Sequence, residues 1–322
     1  MRVLILGAGG FLGSRLAARL AADGRLGERV IDELVLFDVR PVRTPAASAC
    51  TITQVHGDLR DRAVLEDLFA LPPDAIFHLA ATLTVDAETD FRRGLETNVL
   101  AFIELLERCR SQSAAPMLLF ASSIATFGGM LPPVVDDDVF QAPATSYGTH
   151  KTVAELLLAD YSRHGFVDGR ALRLPIVVTH PGPASGSISD QVASLIREPL
   201  RGDRTVCRMA PDGRMVVASV DKVIEGFLRL SALPTDALQA GRTMNLPGLA
   251  VTPAQIVHAV ARRLPAGDVD MVTWQADPQV QRIVDGWPRA FTSARAVALG
   301  FKPDESADAL VTAFLASEQA RS

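Results

Sequence analysis

The stretch Gly7-Ala8-Gly9-Gly10-Phe11-Leu12-Gly13 carries the strongest structural signal in the sequence. It follows an apolar run at residues 3–6, typical of a strand covered on both faces, and precedes a helical pattern at residues 14–22. In this setting the spaced glycines allow a tight turn, the approach of a pyrophosphate and close packing of the helix, whose free N–H groups favour an anion. We therefore predict dinucleotide contacts, rather than a purely structural turn, from Gly7, Gly10, Phe11, Leu12 and Gly13.

Outward from this turn, strand-like and helical patterns alternate as far as residue 179. Strand-like runs occupy residues 33–38, 52–56, 75–79, 117–120 and 171–178. Helical patterns occupy residues 61–69, 91–109 and 147–161. This alternation predicts an α/β fold with a doubly wound parallel Rossmann sheet, and a dinucleotide-binding domain over residues 1–179.

Beyond residue 179 the alternation stops, and a second, smaller lobe is predicted. Residues 180–187 are rich in proline, glycine and serine and predict a loop. Helical patterns follow at residues 190–197, 220–230, 253–263 and 307–317, with a strand-like run at 242–246. We expect a segment at about 216–247 to return to the sheet, and residues 180–215 and 248–322 to form a C-terminal substrate-binding lobe.

Composition narrows the class of protein. The chain has 32 basic and 37 acidic residues, a net charge of −5, and no basic tract, which argues against nucleic acid and acidic membranes as partners. No apolar run reaches the roughly 18 residues of a membrane-spanning helix, and the N-terminal pattern is not that of a signal peptide. Three scattered cysteines and six histidines without ligand spacing predict no metal and a cytoplasmic location.

Two aspartates follow predicted strands where a dinucleotide would lie. Asp38 ends the second strand, and a carboxylate there accepts hydrogen bonds from the adenosine ribose and repels a 2′-phosphate, which favours NAD over NADP. The nearby Arg40 and Arg43 leave NADP as the alternative. Asp58, with Leu59, follows the third strand and is a candidate for the adenine amino group; its alternative role is a helix cap.

Tyr147 and Lys151 are the candidates for proton transfer. Four residues apart on a predicted helix, they project from one face, in a chain with only two tyrosines and three lysines. A nearby ammonium lowers the pKa of a phenol, and a bound nicotinamide cation lowers it further. The phenolate then takes a proton from an alcohol while a hydride leaves the carbon. The alternative is an ordinary surface pair.

Ser122 and Ser123 end the fifth predicted strand, at the sheet edge where open α/β sheets bind ligands. Adjacent residues of a strand face opposite ways, so only one of the two hydroxyl groups is expected to hold the reacting oxygen. Serines that merely cap the next turn are the alternative.

Together these motifs resemble the extended short-chain dehydrogenase/reductases, which include nucleotide-sugar epimerases and dehydratases. The resemblance rests on the glycine turn, Asp38, Gly57-Asp58, His78-Leu79-Ala80-Ala81, Ser122-Ser123 and the Tyr147/Lys151 pair. It implies NAD as cofactor, a catalytic triad of Ser123, Tyr147 and Lys151, and a homodimer built on the two long helices. It also implies cofactor contacts from Leu79, Ala80, Ala81, Asn98, Tyr147, Lys151, Pro175 and Val177. Asn98 is equally compatible with a helix-surface position.

Within that family the chain is most similar to the D-erythronate dehydrogenase branch, whose members oxidise a C4 sugar acid with NAD. Segments at residues 122–129, 131–137, 145–149, 155–163, 196–200 and 286–288 carry this likeness. His180 and residues 215–221 depart from the branch where a carboxylate would be bound, so a less polar hydroxy or keto compound remains the alternative to a polyol acid. The predicted substrate contacts are Thr82, Ser123, Ile124, Tyr147, His180 and Arg214.

Two other functions compete with this one. Nucleotide-sugar epimerisation or dehydration is the first, but Met215 and Ala218 stand where such enzymes carry an acid and a histidine, and no asparagine follows Arg173 at the expected spacing. A non-catalytic NAD-sensing protein is the second, and the retained Tyr147/Lys151 pair argues against it. For the homodimer, we expect surplus apolar surface from Leu95, Phe102, Leu105, Leu106, Leu156, Leu157 and Leu158.

Overall fold

The computed structural model describes residues 1–178, 188–238, 241–264 and 270–319. It divides into two compact units. The first contains Met1–Thr126, Thr145–Arg173 and Ile224–Met244. The second contains Phe127–Ala144, Leu174–Val223 and Asn245–Ser322.

The strands of the described residues are, in chain order, β1 (Arg2–Leu6), β2 (Arg25–Leu26), β3 (Arg29–Val30), β4 (Glu33–Asp38), β5 (Thr51–His56), β6 (Ala75–His78), β7 (Met117–Ser123), β8 (Asp168–Leu174), β9 (Ile176–Val178), β10 (Thr205–Cys207), β11 (Met215–Ser219), β12 (Thr243–Asn245), β13 (Leu249–Val251) and β14 (Val272–Trp274). The α-helices are α1 (Phe11–Asp23), α2 (Arg62–Leu68), α3 (Thr84–Thr89), α4 (Phe91–Leu95), α5 (Ala101–Arg110), α6 (Ser146–Arg163), α7 (Ile188–Leu200), α8 (Val220–Ala232), α9 (Pro253–Ala261), α10 (Pro278–Asp285), α11 (Ala294–Ala298) and α12 (Ala307–Gln319).

A seven-stranded sheet in the order β12-β8-β7-β6-β1-β4-β5 is the centre of the first unit. The pairs β5–β4, β4–β1, β1–β6 and β6–β7 are parallel, and Leu6 of β1 lies between Phe37 and His78. The inner residues of β1 are completely buried, as expected for a strand covered on both faces. The doubly wound Rossmann sheet predicted from the sequence is confirmed.

The direction in which successive strands are added to the sheet reverses at β1, which makes this position a topological switch point. The chain first moves outward through β4 and β5, then returns to the other side of β1 to form β6 and β7. Ligands of open α/β sheets bind at such a switch, outside the carboxyl ends of the strands. The glycine turn after β1 therefore lies at the expected binding edge, next to the segment after β6.

The predicted sixth strand is interrupted. A continuous strand was expected over residues 171–178, but β8 ends at Leu174 and β9 pairs instead with β11 in the second unit. Pro175 separates them, and proline has no N–H to donate to a ladder. The strand expected near 242–246 is confirmed as β12, which joins the edge of the large sheet.

The long helix predicted over 91–109 is present with an unexpected turn. Between α4 and α5, residues Glu96–Leu100 form a π-helical turn, a widened turn that is often found at functional sites. The α5 side chains pack on the sheet. Four residues expected to form surplus apolar surface lie instead in the core, at 1% exposure or less: Phe102, Leu105, Leu106 and Leu158.

The second unit contains the sheet β13-β11-β9, the pair β10-β14 and helices α7, α9 and α12. Its core includes Val192, Ile196, Val217, Ile256 and Leu310. The helices expected over 190–197, 253–263 and 307–317 are present as α7, α9 and α12. The loop expected over 180–187 lies outside the described residues.

No helix within the described ranges combines the length and hydropathy needed to cross a membrane. The same ranges contain no cluster of three or more histidine, cysteine or acidic side chains suited to a metal ion.

Candidate functional site

The glycine turn between β1 and α1 leaves space only for backbone. Gly7 has φ of +91°, and a Cβ there would lie 2.6 Å from the backbone nitrogen of Ala80. A Cβ on Gly13 would overlap the carbonyl oxygen of Gly7. Gly10 precedes α1 without a side-chain cap on the helix. A glycine-rich turn that leads into an uncapped helix start fits the pyrophosphate of a dinucleotide.

Asp38 borders this turn from the end of β4. Its carboxylate accepts hydrogen bonds from the backbone N–H groups of Gly9 and Arg40, each at 2.9 Å. The side chain is only 6% exposed, whereas the Arg40 guanidinium is exposed and its Nε lies 3.5 Å from the carboxylate. The carboxylate is thus fixed beside the turn, where an adenosine ribose would lie in a dinucleotide bound at α1.

Asp58 and Leu59 follow β5. The Asp58 carboxylate pairs with the Arg60 guanidinium at 2.6 Å, and this hydrogen-bonded partner lowers the pKa of Asp58. The alternative role of Asp58 as a helix cap is wrong: α2 begins later, and Asp61 caps it by accepting from the N–H of Ala63. Leu59 is buried. An adenine contact for Asp58 stays a prediction.

Lys151 lies almost fully buried on α6, at 3% exposure. Its ammonium donates to the carbonyl oxygen of Ala121 at 2.7 Å. It lies 4.5 Å from the centre of the Phe120 ring and 5.5 Å from the centre of the Tyr147 ring. Burial lowers the pKa of Lys151 to about 7, and the negative charge of Glu155 opposes this shift.

Tyr147 lies one helical turn before Lys151. Burial raises the pKa of its phenol to about 12, and a hydrogen bond with Ser123 opposes the increase. The expectation that Lys151 lowers this pKa is therefore wrong for the protein without cofactor. Loss of water outweighs the nearby charge, and the ammonium donates to Ala121.

The two serines at the end of β7 have separate partners. Ser123 accepts from the N–H of Ala125 at 3.1 Å and hydrogen-bonds to Tyr147. Ser122, which is 2% exposed, donates to the carboxylate of Glu155. Alternation along the strand separates the two hydroxyl groups. Of the two, Ser123 is the one that shares a hydrogen bond with the phenol.

Glu155 and Arg173 form a buried ion pair that the sequence reasoning missed. The Arg173 Nε lies 3.1 Å from both carboxylate oxygens, and Nη2 lies 2.9 Å from Oε2. Glu155 follows Lys151 by four residues, which is a readable signal for a shared helix face. The pairing with Arg173 on β8 depends on the fold, so no local pattern reveals it.

Asn98 lies in the π-helical turn and is buried, which excludes the alternative of a helix-surface residue. Its Oδ1 accepts from the N–H of Thr82 at 2.8 Å, and its Nδ2 donates to the Thr82 carbonyl at 2.9 Å. The Nδ2 also lies 3.3 Å from Nδ1 of His150. Asn98 thus fixes the backbone after β6, immediately beyond Leu79, Ala80 and Ala81.

His78 at the end of β6 is a core residue. Its ring packs edge-on against Phe102 and Phe120, and burial lowers its pKa to about 3. Its Nδ1 is buried and has no hydrogen-bond partner among the residues that the structure describes. The imidazole is therefore neutral at neutral pH.

The remaining candidates belong to other parts of the chain. Ile124 is buried in a 3₁₀ turn after β7. Pro175, Val177 and Arg214 belong to the second unit, where Val177 is buried and Arg214 is exposed. His180 lies outside the described residues.

Comparison with known proteins gives a consistent result. The family model described as "NAD dependent epimerase/dehydratase family" matches residues 3–245. A D-erythronate dehydrogenase of Cupriavidus necator is 41% identical over 319 residues, covering 98% of both chains. A D-erythronate dehydrogenase of Haemophilus influenzae is 36% identical over 98% of this chain and 99% of its own length.

A solved structure has a closely similar fold. It is described as a nucleoside-diphosphate-sugar epimerase from Agrobacterium tumefaciens and superposes with a TM-score of 0.93. The two sequences are 32% identical, and the match covers all of this chain and 95% of the other.

Proposed function

The chain belongs to the NAD-dependent epimerase/dehydratase family, and we propose that it oxidises the secondary alcohol of a small hydroxy acid to a ketone. The chain is an NAD-dependent oxidoreductase. We further propose D-erythronate, oxidised to its 2-oxo acid, as the substrate. The observation that carries this choice is the near full-length likeness to two D-erythronate dehydrogenases, combined with the Ser123–Tyr147 hydrogen bond beside buried Lys151.

The proposed proton transfer uses the polar groups at the end of β7 and the start of α6. When bound, NAD would supply the hydride acceptor for the alcohol carbon and a positive ring that would favour an ionised phenol. Ser123 holds the alcohol oxygen by a hydrogen bond, and the Tyr147 oxygen takes its proton. Tyr147 is a phenolate before this transfer, and Lys151 stabilises that phenolate through its charge; after the transfer Tyr147 is a neutral phenol. In the reverse direction Tyr147 returns the proton to the ketone oxygen.

The proposed cofactor contacts fall into three groups. The pyrophosphate is assigned to Gly7, Gly10, Phe11, Leu12 and Gly13 at the start of α1; the close approaches at Gly7 and Gly13 and the uncapped helix start support this assignment. Asp38 accepts from the adenosine ribose, and Asp58 with Leu59 borders the adenine. The nicotinamide half is assigned to Leu79, Ala80, Ala81, Asn98, Tyr147, Lys151, Pro175 and Val177.

We assign the carboxylate of the substrate to Arg214, with His180 as the second candidate and Thr82 and Ile124 as further substrate contacts. Arg214 is exposed at the residue before β11, and a guanidinium suits a carboxylate through paired hydrogen bonds. Replacing Arg214 by methionine is expected to raise the KM for D-erythronate about tenfold or more. Arg208→Met, which also removes an exposed guanidinium of the second unit, is the control and should leave KM unchanged.

A substrate screen tests the proposed activity. Purified protein with NAD is assayed for NADH formation against C4–C6 aldonic acids, β-hydroxy esters and aryl alcohols. We expect D-erythronate to give the highest kcat/KM. Faster turnover of an uncharged ester or aryl alcohol would overturn the assignment of a hydroxy acid.

The alternative is epimerisation or dehydration of a nucleotide sugar, which the likeness to the Agrobacterium tumefaciens structure favours. Incubation with NAD and UDP- or GDP-sugars, followed by product analysis, distinguishes the two. An altered sugar without net NADH formation would support the alternative.

We also propose a cytoplasmic homodimer. The three free cysteines suit a reducing compartment. For the dimer, the exposed apolar side chains on the long helices are Phe91, Leu100 and Leu156, at 61%, 49% and 65% exposure. Sedimentation should give the mass of two chains for the parent, and the mass of one chain for the double variant Leu100→Glu with Leu156→Glu.

We propose two domains. The NAD-binding domain contains residues 1–179 and a segment at about 216–247 that returns to the sheet, and the substrate lobe contains residues 180–215 and 248–322.

A further inference from the structure

Lys151 carries its ammonium group into an environment that disfavours charge. The residue is 3% exposed, and its ammonium donates to the carbonyl oxygen of Ala121. The rings of Phe120 and Tyr147 attract a cation weakly but do not neutralise it. The proposed reaction, however, needs a protonated Lys151 to stabilise the phenolate. Some other group must favour the charged form.

Glu155 is placed to supply that charge. It follows Lys151 by one turn of α6, so the two side chains project from the same helix face. Glu155 is also buried, at 4% exposure, where a charge acts over distance more strongly than in water. Its negative charge raises the pKa of Lys151 against the effect of burial.

Arg173 and Ser122 fix the Glu155 carboxylate. Arg173 holds both oxygens from β8, with three N–O distances between 2.9 and 3.1 Å, and Ser122 donates from β7. A carboxylate held by a two-pronged guanidinium is restricted in orientation. Glu155 therefore acts on Lys151 from a fixed position and leaves the ammonium near Tyr147.

We propose that Glu155 is a positioning residue that keeps Lys151 protonated and facing Tyr147, and that Arg173 and Ser122 hold Glu155 in place for this role. The inference rests on the proposed function, in which Lys151 is catalytic. Glu155 itself touches neither substrate nor cofactor in this account.

The other titratable groups around Lys151 do not replace Glu155. His78 on β6 and His150 on α6 both have lowered pKa values, with burial as the main cause and Lys151 as a further one. Both are uncharged at neutral pH. Tyr147 is neutral in the protein without cofactor, and Arg173 has the wrong sign. Among the described groups around Lys151, Glu155 is thus the one whose negative charge balances the ammonium.

The test measures the titration of Lys151 directly in the protein without cofactor. The chain has only three lysines, at 151, 222 and 302, so ε-¹³C-lysine labelling gives three NMR signals, and Lys151→Met assigns one of them. Glu155→Gln keeps the length and shape of the side chain but removes its charge. We expect it to lower the titration midpoint of Lys151 by about 1 pH unit. Glu155→Asp keeps the charge and should leave the midpoint near that of the parent.

Two further variants guard against loss of folding. Glu155→Gln combined with Arg173→Met removes the ion pair without leaving a buried guanidinium unpaired. A downward shift is expected, smaller than that of Glu155→Gln alone because the loss of the Arg173 charge acts in the opposite direction. Asp168→Asn removes a carboxylate that pairs with Arg170 and Arg242 elsewhere in the first unit. It should reduce stability without moving the Lys151 midpoint. An unchanged midpoint in both charge-removing variants would overturn the inference.

Kinetics separate this inference from the proposed function. In alcohol oxidation, Glu155→Gln should shift the rising limb of the kcat/KM–pH profile downward by about 1 unit and lower its plateau, while Glu155→Asp retains the limb. If Tyr147→Phe keeps the parent rate, the proposed function fails. If Tyr147→Phe is inactive but Glu155→Gln changes neither the Lys151 titration midpoint nor the kcat/KM–pH profile, the proposed role of Glu155 is wrong and the proposed function stands.

Discussion

The ammonium nitrogen of Lys151 lies 5.5 Å from the centre of the Tyr147 ring, one turn away on the same helix. Burial shifts their two pKa values apart, to about 12 for the phenol and about 7 for the ammonium. When pH rises, the first proton therefore leaves Lys151. Proton transfer from an alcohol to Tyr147 requires the form of the pair in which Tyr147 is a phenolate and Lys151 is an ammonium. This form has one proton fewer than the fully protonated pair.

The first prediction concerns pH. Alcohol oxidation should accelerate as pH rises through the region of the Lys151 pKa, near 7, because below it both groups keep their protons. Ketone reduction needs Tyr147 and Lys151 both protonated, so it should slow over the same range as Lys151 loses its proton. Single-turnover measurements of NADH formation and consumption across this range check both slopes. Equal pH dependence in the two directions would contradict the account.

Lys151→Met should abolish activity and increase stability. The pKa of Lys151 is lowered from its ordinary value of 10.5 to about 7 in the folded protein. Between pH 7 and pH 10.5 the unfolded chain therefore binds more protons than the folded protein, and the stability of the parent rises with pH over this range. Burial of the charged ammonium lowers the free energy of unfolding fully below pH 7, and this destabilisation disappears above about pH 10.5. Methionine removes it, with a gain on the order of 2 kcal/mol in the free energy of unfolding at neutral pH.

Chemical denaturation at several pH values measures this gain. The exposed Lys302→Met is the control and should change neither stability nor activity. A Lys151→Met protein that is less stable than the parent at pH 7 would show that the ammonium contributes net stability to the fold.

Asp38→Asn should weaken the preference for NAD over NADP. The Gly9 and Arg40 N–H groups donate to different carboxylate oxygens, so asparagine keeps an acceptor for one of them, and it removes the charge that repels a 2′-phosphate. The ratio of kcat/KM values for the two cofactors should fall about tenfold or more. Adding Arg40→Ala should restore part of the preference, since Arg40 is the cation beside the site. An unchanged ratio would remove Asp38 from the ribose contact.

Gly13→Ala should impair cofactor binding. The new methyl group would overlap the Gly7 carbonyl, forcing α1 away from the turn, at a cost of roughly 1–3 kcal/mol in stability. Calorimetry should give a Kd for NAD at least several-fold weaker than that of the parent. Gly286→Ala is the matched control, because its Cβ meets its nearest atoms at 3.4 Å, an ordinary contact. Equal NAD affinity in both variants would argue against the glycine turn as the pyrophosphate site.

Much of the fold follows from local sequence. The apolar runs of β1, β4 and β6, separated by helical patterns, suffice to predict a doubly wound sheet, and the comparisons confirm the family and NAD dependence. The spacing of Tyr147 and Lys151 likewise predicts a shared helix face, because helical periodicity is a local property. The break at Pro175 was also readable, since proline cannot continue a ladder.

Other features depend on packing between distant segments. The pKa of Tyr147 has the opposite direction to the one expected, because burial depends on how α6 packs and not on its own sequence. The ion pair of Glu155 with Arg173 joins a helix to a strand. The π-helical turn that directs Asn98 to Thr82 has no signal in composition or periodicity.

The role of Tyr147 as the proton acceptor is the central claim, and stopped-flow measurement of NADH formation by Tyr147→Phe tests it most directly. Tyr161→Phe, which alters the chain's other tyrosine on the same helix, is the control. With D-erythronate and saturating NAD, we expect the rate of NADH formation to fall about 10²–10⁴-fold in Tyr147→Phe and to stay near that of the parent in Tyr161→Phe. A Tyr147→Phe protein that forms NADH at the parent rate would contradict the account.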